Sequence, residues 1–403
     1  MANLASMLSD QGRWKDAEEL EDQVLKLRKT RLGDKHPDTL ISMAILASTY
    51  WSQGRWREAE KLEKKVLETR EKVLGSDHPH TLSSMANLVS TYRSQGKWGA
   101  AVELEPDDLE IRKRVLGKKG LQTLAIMANL ASTYRDQGGW EKAKDLGLKV
   151  KEIMENVLGK EHQDTLNSMA GLAKTYWIQG RLKQAKELEM EVWKMKKKVL
   201  GEEHPDTLTS ASDLAITYRD QGRLNKAEEL EKKALEMRNK ALGKEHPDTL
   251  SSMSALASTY FEQGRWDEAE ELEKKVLDVR KRTLGEEHPD TLTSASGLAM
   301  TYRDQGKLNE AEHQFLEVIE IRKRVLGEEH PDTLTSMSAL AITYGEQRRL
   351  NEAEQLGSQV LKTRERVLGE EHPRTLSSIS GLVITYRDQG RWDEAEELEK
   401  KVL

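Results

Sequence analysis

Hydrophobic and polar positions define two kinds of helical segment, which alternate along the chain and recur every 42 residues. In residues 40–81, the first segment carries an apolar stripe at helical spacing, formed by Leu40, Met43, Leu46, Ala47 and Tyr50. The second segment, residues 55 to about 74, has one apolar face opposite a face rich in Glu and Lys. Gly54 and Gly75 end the two segments, because glycine adopts a positive φ without steric cost. Each unit is therefore predicted to be an antiparallel helix pair.

The period is unbroken from one end of the chain to the other. One glycine of each unit follows it: Gly33, Gly75, Gly117, Gly159, Gly201, Gly243, Gly285, Gly327 and Gly369. Such self-similarity is typical of stacked arrays, in which each unit buries its apolar stripe against its neighbours. We predict an all-α fold, a right-handed α-solenoid that forms a single repeat domain over residues 1–403. It comprises a partial repeat (1–39), eight full repeats (40–375) and a final partial repeat (376–403).

Aromatic residues occupy fixed slots in this array. All nine tyrosines lie near the end of a first helix: Tyr50, Tyr92, Tyr134, Tyr176, Tyr218, Tyr260, Tyr302, Tyr344 and Tyr386. Six of the nine tryptophans begin a second helix: Trp14, Trp56, Trp98, Trp140, Trp266 and Trp392. A ladder of aromatic rings could stack ligands, but its regularity favours a core between repeats.

Composition excludes several classes of function. Lys+Arg 64 and Asp+Glu 70 give a net charge of -6 without a basic block, so no nucleic-acid partner is expected. No apolar run is long enough to span a membrane, and we expect a cytoplasmic protein without a membrane partner. The chain has no cysteine, no Ser/His/Asp constellation and no Gly-rich phosphate loop. We therefore expect neither an enzyme nor a cofactor.

The pattern L-A-x-T-Y-x-x-Q-G-R-W-x-E-A-E-x-L resembles the tetratricopeptide repeat signature. The matching residues of one unit are Leu46, Ala47, Tyr50, Gly54, Trp56 and Ala59. An extended second helix, V-L-E-T-R-E-K-V-L-G, lengthens the usual 34-residue unit to 42, similar to the repeats of kinesin light chains and of NLR-type signalling ATPases. The resemblance implies a scaffold whose concave face, lined by the first helices, binds a peptide or protein. The alternative is a ligand-sensing regulatory domain of a larger NLR-type ATPase.

Partner contacts are expected where first-helix slots vary while the scaffold slots do not. The candidates are Trp51, Asn87, Arg93, Asn129, Arg135, Lys174, Trp177, Asp213, Phe261 and Met300. The aromatic members are the strongest candidates, because aromatic residues are enriched at interface hot spots. The arginines could grip carboxylates of a partner. Aspartates at the next position favour Arg–Asp pairing between neighbouring units instead.

The loop histidines and one divergent repeat require separate interpretations. Eight loops contain a histidine, which fits the chemistry of a helix start better than a metal site: His36, His78, His162, His204, His246, His288, His330 and His372. In the repeat 82–123, Pro106 lies inside the second helix, and Asp108 replaces a core valine. Because proline removes an N–H and clashes with the preceding turn, we predict a kink or helix break near residues 104–108.

The two ends of the sequence align with the interiors of helices. Neither end carries the polar capping helix that solenoids usually have. Each unit presents the surface that its neighbour needs, so we expect possible head-to-tail self-association through uncapped ends.

Overall fold

The computed structural model describes residues 7–8, 14–370 and 372–400, and all the regular structure in this part is helical. The first helices of the pairs are α2 (Pro37–Ser52), α4 (Pro79–Ser94), α6 (Leu121–Asp136), α8 (Gln163–Ile178), α10 (Pro205–Asp220), α12 (Pro247–Glu262), α14 (Pro289–Asp304), α16 (Pro331–Glu346) and α18 (Pro373–Asp388). The second helices are α1 (Trp14–Leu32), α3 (Trp56–Leu74), α5 (Trp98–Leu116), α7 (Trp140–Leu158), α9 (Leu182–Leu200), α11 (Leu224–Leu242), α13 (Trp266–Leu284), α15 (Leu308–Val325), α17 (Leu350–Leu368) and α19 (Trp392–Glu399). None of the helices in these ranges is long and apolar enough to cross a membrane.

The helices form two compact units, residues 1–175 and 176–403. Within each unit, helices that follow one another in the sequence pack side by side through short turns. In the second unit, the first helices of adjacent repeats also touch one another. This arrangement confirms the predicted all-α solenoid of helix pairs. The division into eight full repeats within one domain stays a prediction.

The core is built from columns of equivalent side chains. Leu40 and Met43 of α2 and Ala59 and Val66 of α3 are buried, as are most of their counterparts in later repeats. The tyrosines pack at the edge of this core, and in several repeats a cation covers the ring, as the guanidinium of Arg55 does 4.2 Å from the centre of Tyr50. The tyrosine prediction is therefore confirmed.

The tryptophans at the start of the second helices differ from that prediction. Trp56 is half-buried, whereas Trp266 is 40% exposed and Trp392 64% exposed. These rings lie at the outer end of the helix, next to a turn, where neighbouring residues cover only part of their surface. The expectation that this slot belongs to the core is wrong for both exposed rings.

The loop histidines cap the first helices. In α2, Nδ1 of His36 accepts a hydrogen bond from the backbone N–H of Asp38 at 3.2 Å, and Pro37 fills the first helical position. This bond satisfies one of the free N–H groups at the helix start. The same contact is present at His78, His162, His204, His246, His288, His330 and His372. The prediction of helix-start chemistry is confirmed.

The turn between the two helices of a pair binds the preceding repeat. Gln53 Nε2 donates to Glu18 at 2.9 Å, and Arg55 Nη1 donates to the same carboxylate at 2.8 Å. Equivalent bonds join Gln263 and Arg265 to Glu228. In these repeats, the Gln and the cation on either side of the turn glycine therefore bind one carboxylate together.

The predicted helix break in the divergent repeat is wrong. Helix α5 runs without interruption from Trp98 to Leu116, with Pro106 inside it. Asp108 is buried, but Nε of Arg112 donates to its Oδ1 at 2.7 Å. This ion pair supplies the polar partner that an aspartate in a core slot requires. Leu104 and Ile111, on either side of the proline in the sequence, both pack against a buried cluster that includes Leu82 and Met85.

Arg348 provides a test of backbone strain. It occupies the slot of the turn glycine with a φ of 63°, a conformation that costs a non-glycine residue roughly 1–2 kcal/mol. Replacement by glycine removes this strain, but it also increases the conformational entropy of the unfolded chain, which offsets part of the gain in stability. We expect Arg348→Gly to stabilise the protein by about 0.5–1 kcal/mol in chemical denaturation. As the matched control, Gly264→Ala (φ 73°) should destabilise it, and an Arg348→Gly loss would contradict the strain argument.

Candidate functional site

The predicted contact residues all lie on first helices but differ in exposure. Six are exposed: Trp51, Asn87, Asn129, Lys174, Asp213 and Met300. Arg93, Trp177 and Phe261 are half-buried, and Arg135 is buried. Because only exposed side chains are immediately available to a partner, the first group contains the more accessible candidates. The binding role of all ten residues stays a prediction.

The three aromatic candidates also contribute to the scaffold. Nε1 of Trp51 donates to Ser94 Oγ of the next repeat at 3.1 Å, and Nε1 of Trp177 donates to Asp220 in the same way. Phe261 packs against a buried cluster of its own helix pair, formed by Leu256, Tyr260 and Ala269. Substituting them would therefore disturb stacking as well as any partner contact.

The arginines of the first helices use more than one kind of carboxylate. Arg93 Nη2 lies 3.0 Å from Asp136 of the next repeat, as predicted for pairing between units. Arg219 instead approaches Glu231 of its own repeat, with 3.9 Å between Nη1 and Oε1. Pairing between neighbouring repeats is thus confirmed for Arg93, whereas Arg219 pairs with a carboxylate of its own repeat.

Six of the second helices each carry one buried glutamate at the same position of the repeat, and together these residues form a column that was not predicted from the sequence. Its members are Glu21, Glu63, Glu105, Glu189, Glu231 and Glu273. In one of these contacts, Thr301 Oγ1 donates to Glu273 Oε2 at 2.7 Å. Burial raises the pKa of Glu63, Glu105, Glu189, Glu231 and Glu273 to about 7, although threonine hydrogen bonds act in the opposite direction.

Buried arginines form a second column, one to two turns further along the same helices. Arg280 Nη1 donates to the carbonyl of Asp290 at 3.1 Å and to Ser294 Oγ at 2.7 Å. Burial lowers the pKa of Arg70, Arg238, Arg280 and Arg322. In the repeats that carry an arginine in this slot, such bonds tie the second helix to the first helix of the next repeat.

Two cavities occur where glycine replaces the glutamate of the first column. The cavity at Gly147 has a volume of about 550 Å³, and its lining includes Arg135 and Asn129. The cavity at Gly357 has a volume of about 660 Å³ and is lined by Ile342 and Ile384 among others. Both cavities open between successive first helices. In each of the two compact units, the loss of the glutamate side chain is therefore accompanied by a recess on the predicted binding face.

The glutamate column could have been found from an anomaly in the sequence. Gly147, Phe315 and Gly357 occupy a slot that is Glu in most repeats. Replacement of Glu by Phe or Gly is unusual at a position that faces solvent. It indicates a buried position whose packing differs between repeats. Among the described residues, no group of His, Asp or Glu side chains is arranged to hold a metal ion.

The comparisons with known proteins agree with this architecture. A tetratricopeptide repeat profile matches residues 1–72, 122–198, 232–282, 248–324, 290–365 and 346–403, and another tetratricopeptide repeat profile matches residues 81–119 and 207–248. The chain therefore belongs to the tetratricopeptide repeat family. The chain is also similar to solved structures of kinesin light chain-like repeat proteins. No curated protein matches the chain.

Two of these solved structures are of a putative kinesin light chain from Podosopora anserina with nearly identical TPR-like repeats. Both are 33% identical to this chain and cover 50% of it and 95% of their own length, with TM-scores of 0.43 and 0.42. The structure of BtubC (BKLC) from P. vanneervenii is 23% identical over 55% of this chain and 89% of its own, with a TM-score of 0.46.

Proposed function

We propose that this array is a non-enzymatic scaffold that binds a segment of a partner protein on the face formed by its first helices. The observation that carries this proposal is a stripe of exposed apolar side chains in the second unit. Met300, Ile342 and Ile384 occupy the same slot of successive repeats and are 39%, 46% and 62% exposed. In the other repeats this slot holds a polar residue, such as Ser258, except for Ile216.

The stripe borders a recess that a partner side chain could enter. Ile342 and Ile384 both line the cavity of about 660 Å³ at Gly357, together with Gly345 and Gly381. An apolar stripe beside a concavity is the kind of surface at which anchor residues of a partner concentrate binding energy. A mainly apolar segment is therefore the partner that this part of the array would suit.

Fixed packing explains how such a surface can vary without loss of the fold. The buried sides of the first helices are held by equivalent core residues, such as Leu340 and Leu382, whereas the stripe slot contributes little to the core. Changes at that slot alter the surface presented to a partner and leave the helix positions unchanged.

We expect the double substitution Ile342→Ser and Ile384→Ser to weaken binding of a selected peptide at least tenfold. Peptides would be selected from a displayed library against the full chain, and affinity would be measured by fluorescence anisotropy. The substitutions introduce the residue found naturally at Ser258, which should leave the helices intact.

Val199→Ser is the matched control, since Val199 is 47% exposed at the end of a second helix, away from the stripe. It should leave the affinity unchanged. Equal affinity of the double variant and the parent for every selected peptide would rule out this binding face. The NLR-type alternative is tested separately, by whether the complete gene also encodes a nucleotide-binding module.

A further inference from the structure

The first-helix arginines stand at a fixed sequence separation from the positions of the glutamate column. Twelve residues after the arginine, on the second helix of the same pair, a carboxylate is present in three repeats: Arg93 and Glu105, Arg219 and Glu231, and Arg387 and Glu399. Arg219 lies 3.9 Å from its glutamate, and Arg387 Nη2 donates to Glu399 Oε1 at 2.5 Å. Attraction to Arg93 also lowers the pKa of Glu105, against the larger opposite effect of burial.

Arg135 has the same position, but its carboxylate is missing. Gly147 stands twelve residues later, where Arg93, Arg219 and Arg387 have glutamate and Arg303 has Phe315. The space is not refilled by a larger neighbour: the cavity of about 550 Å³ contains Gly147, Ala128, Ala143 and Gly171 in its wall. We call it the Gly147 cavity. It lies entirely within the first compact unit.

The guanidinium of Arg135 is held at the wall of this cavity with hydrogen-bonding capacity left over. The residue is only 7% exposed, and its Nε has no hydrogen-bond partner. Its Nη2 donates to Ser132, and its Nη1 lies 3.4 Å from the carbonyl of Gly171. Neither of these two acceptors is charged, and the desolvation of the buried cation is offset by Asp136, whose Oδ1 lies near the Arg135 Nε.

The nearest carboxylate is shared with another arginine. Asp136 Oδ1 is 3.4 Å from Arg135 Nε, while Asp136 Oδ2 is 3.0 Å from Arg93 Nη2. Glu105, which also faces Arg93, has a pKa of about 7 because of its burial and is partly protonated at neutral pH. The cavity lining also includes Asp164, which precedes Gly171 by about two helical turns, so the carboxylate nearest to the Arg135 guanidinium is Asp136, shared with Arg93.

We propose that the Gly147 cavity binds a carboxylate on a short apolar stem, with Arg135 as its anchor. The small apolar side chains of the wall would contact the stem. The guanidinium of Arg135 would bind the carboxylate, as Arg387 binds the carboxylate of Glu399. The source is either a free small acid or a glutamate side chain of a bound peptide. The peptide case rests on the function proposed above, and the free-acid case does not.

The Gly357 cavity is a natural control within the same chain. It has lost the same glutamate, but Gly345 replaces the first-helix arginine. The arginine at its edge, Arg348, has a side chain that is 77% exposed and lies 3.5 Å from Asp388. With Glu346 also in the lining, this cavity offers no excess positive charge and should not select a carboxylate.

Propionate is the simplest probe, because it matches a glutamate side chain beyond Cα. In ligand-observed NMR with the full chain, propionate should bind saturably, and the neutral isostere propionamide should bind at least tenfold more weakly. Arg135→Gln should weaken propionate binding at least tenfold, Arg135→Lys by less, and Gly147→Glu should block it. The Glu variant requires Leu172 to move slightly, since its Cδ1 lies 3.3 Å from the position of the added Cβ.

Arg348→Gln serves as the matched control and should leave propionate binding unchanged. Equal binding of propionate and propionamide, or undiminished binding by folded Arg135→Gln and Arg135→Lys, would overturn the proposal. A peptide pair that differs only in Glu or Gln separates the two sources. At least tenfold tighter binding of the Glu peptide than of propionate identifies a peptide subsite, and equal binding identifies a free-acid site. Peptides that bind the first-helix face while the Gly147 cavity ignores propionate would refute this site alone.

Discussion

At pH 8, Glu231→Gln is expected to make the protein more stable, and this gain should disappear by pH 5. Burial raises the pKa of Glu231 to about 7 in the folded chain, while an unfolded glutamate keeps an ordinary value near 4.5. Above pH 7 the carboxylate is ionised in both states, and the folded state bears the cost of a buried charge. As the pH falls from 7 to 4.5, the folded state takes up the proton first, so the free energy of unfolding rises.

The expected size follows from the shift in pKa. Each pKa unit corresponds to about 1.4 kcal/mol, so the gain at pH 8 can reach about 3 kcal/mol. Arg219 limits it, because its guanidinium lies 3.9 Å from the carboxylate and stabilises the charge, whereas Glu228 adds repulsion. Glutamine keeps the shape of the glutamate side chain and an oxygen that can accept a hydrogen bond.

The measurement is a set of guanidinium denaturation curves for the parent and the variant between pH 5 and pH 8. The comparison is needed because other ionisable groups of the chain also contribute to the pH dependence of each curve. That effect is common to both proteins and cancels. Glu229→Gln, at an exposed position of the same helix, should show no pH-dependent difference. A constant difference at every pH would contradict the assignment.

The fold was predictable because local and tertiary signals agree. Gly54 and Gly75 mark the helix ends, and the stripe through Leu40, Met43 and Leu46 marks the side that packs. The loop histidine could be assigned to the helix start because it precedes proline in nearly every repeat. These inferences depend only on spacing and on backbone chemistry, which one unit is sufficient to show.

The buried charges were not predictable from one unit. Glu63 and Arg70 lie on a helix whose outer face is also rich in Glu and Lys, so composition does not distinguish the inner from the outer charges. Burial of Glu63 becomes evident only when the next repeat places Thr91 against it. The failure at Pro106 has a related cause: helix propensity is local, whereas the packing that keeps α5 continuous comes from its neighbours.

The candidate site was predicted in outline and not in detail. Met300 lies on the exposed stripe as expected, and Asn129 and Arg135 line a cavity. The cavity itself depends on Gly147, a residue on the second helix that the first-helix slots do not reveal. A recess between helices is a property of two facing surfaces, and a missing side chain on one of them is visible in the sequence only as an exception within its column.

Phe315→Ala is expected to produce the largest loss of stability, about 3–5 kcal/mol, because it removes a fully buried ring from a tightly packed core. Phe315 occupies the slot that holds glutamate in most repeats, and it packs with Ala299, Leu340 and Val360 across three helices. No polar group inside the core depends on it, so the loss should be the same at pH 5 and pH 8, unlike the effect at Glu231.

Leu316→Ala is the control, since this neighbouring side chain is 46% exposed and should change stability by less than about 0.5 kcal/mol. Guanidinium denaturation of both variants measures the difference. A glutamate at 315 would enter a site formed by apolar side chains, among them Leu340 and Val360. Because such a site disfavours the charged carboxylate, Phe315→Glu should lose more stability at pH 8 than at pH 5. Equal losses at the two pH values would show that burial at this slot does not disfavour the charged carboxylate.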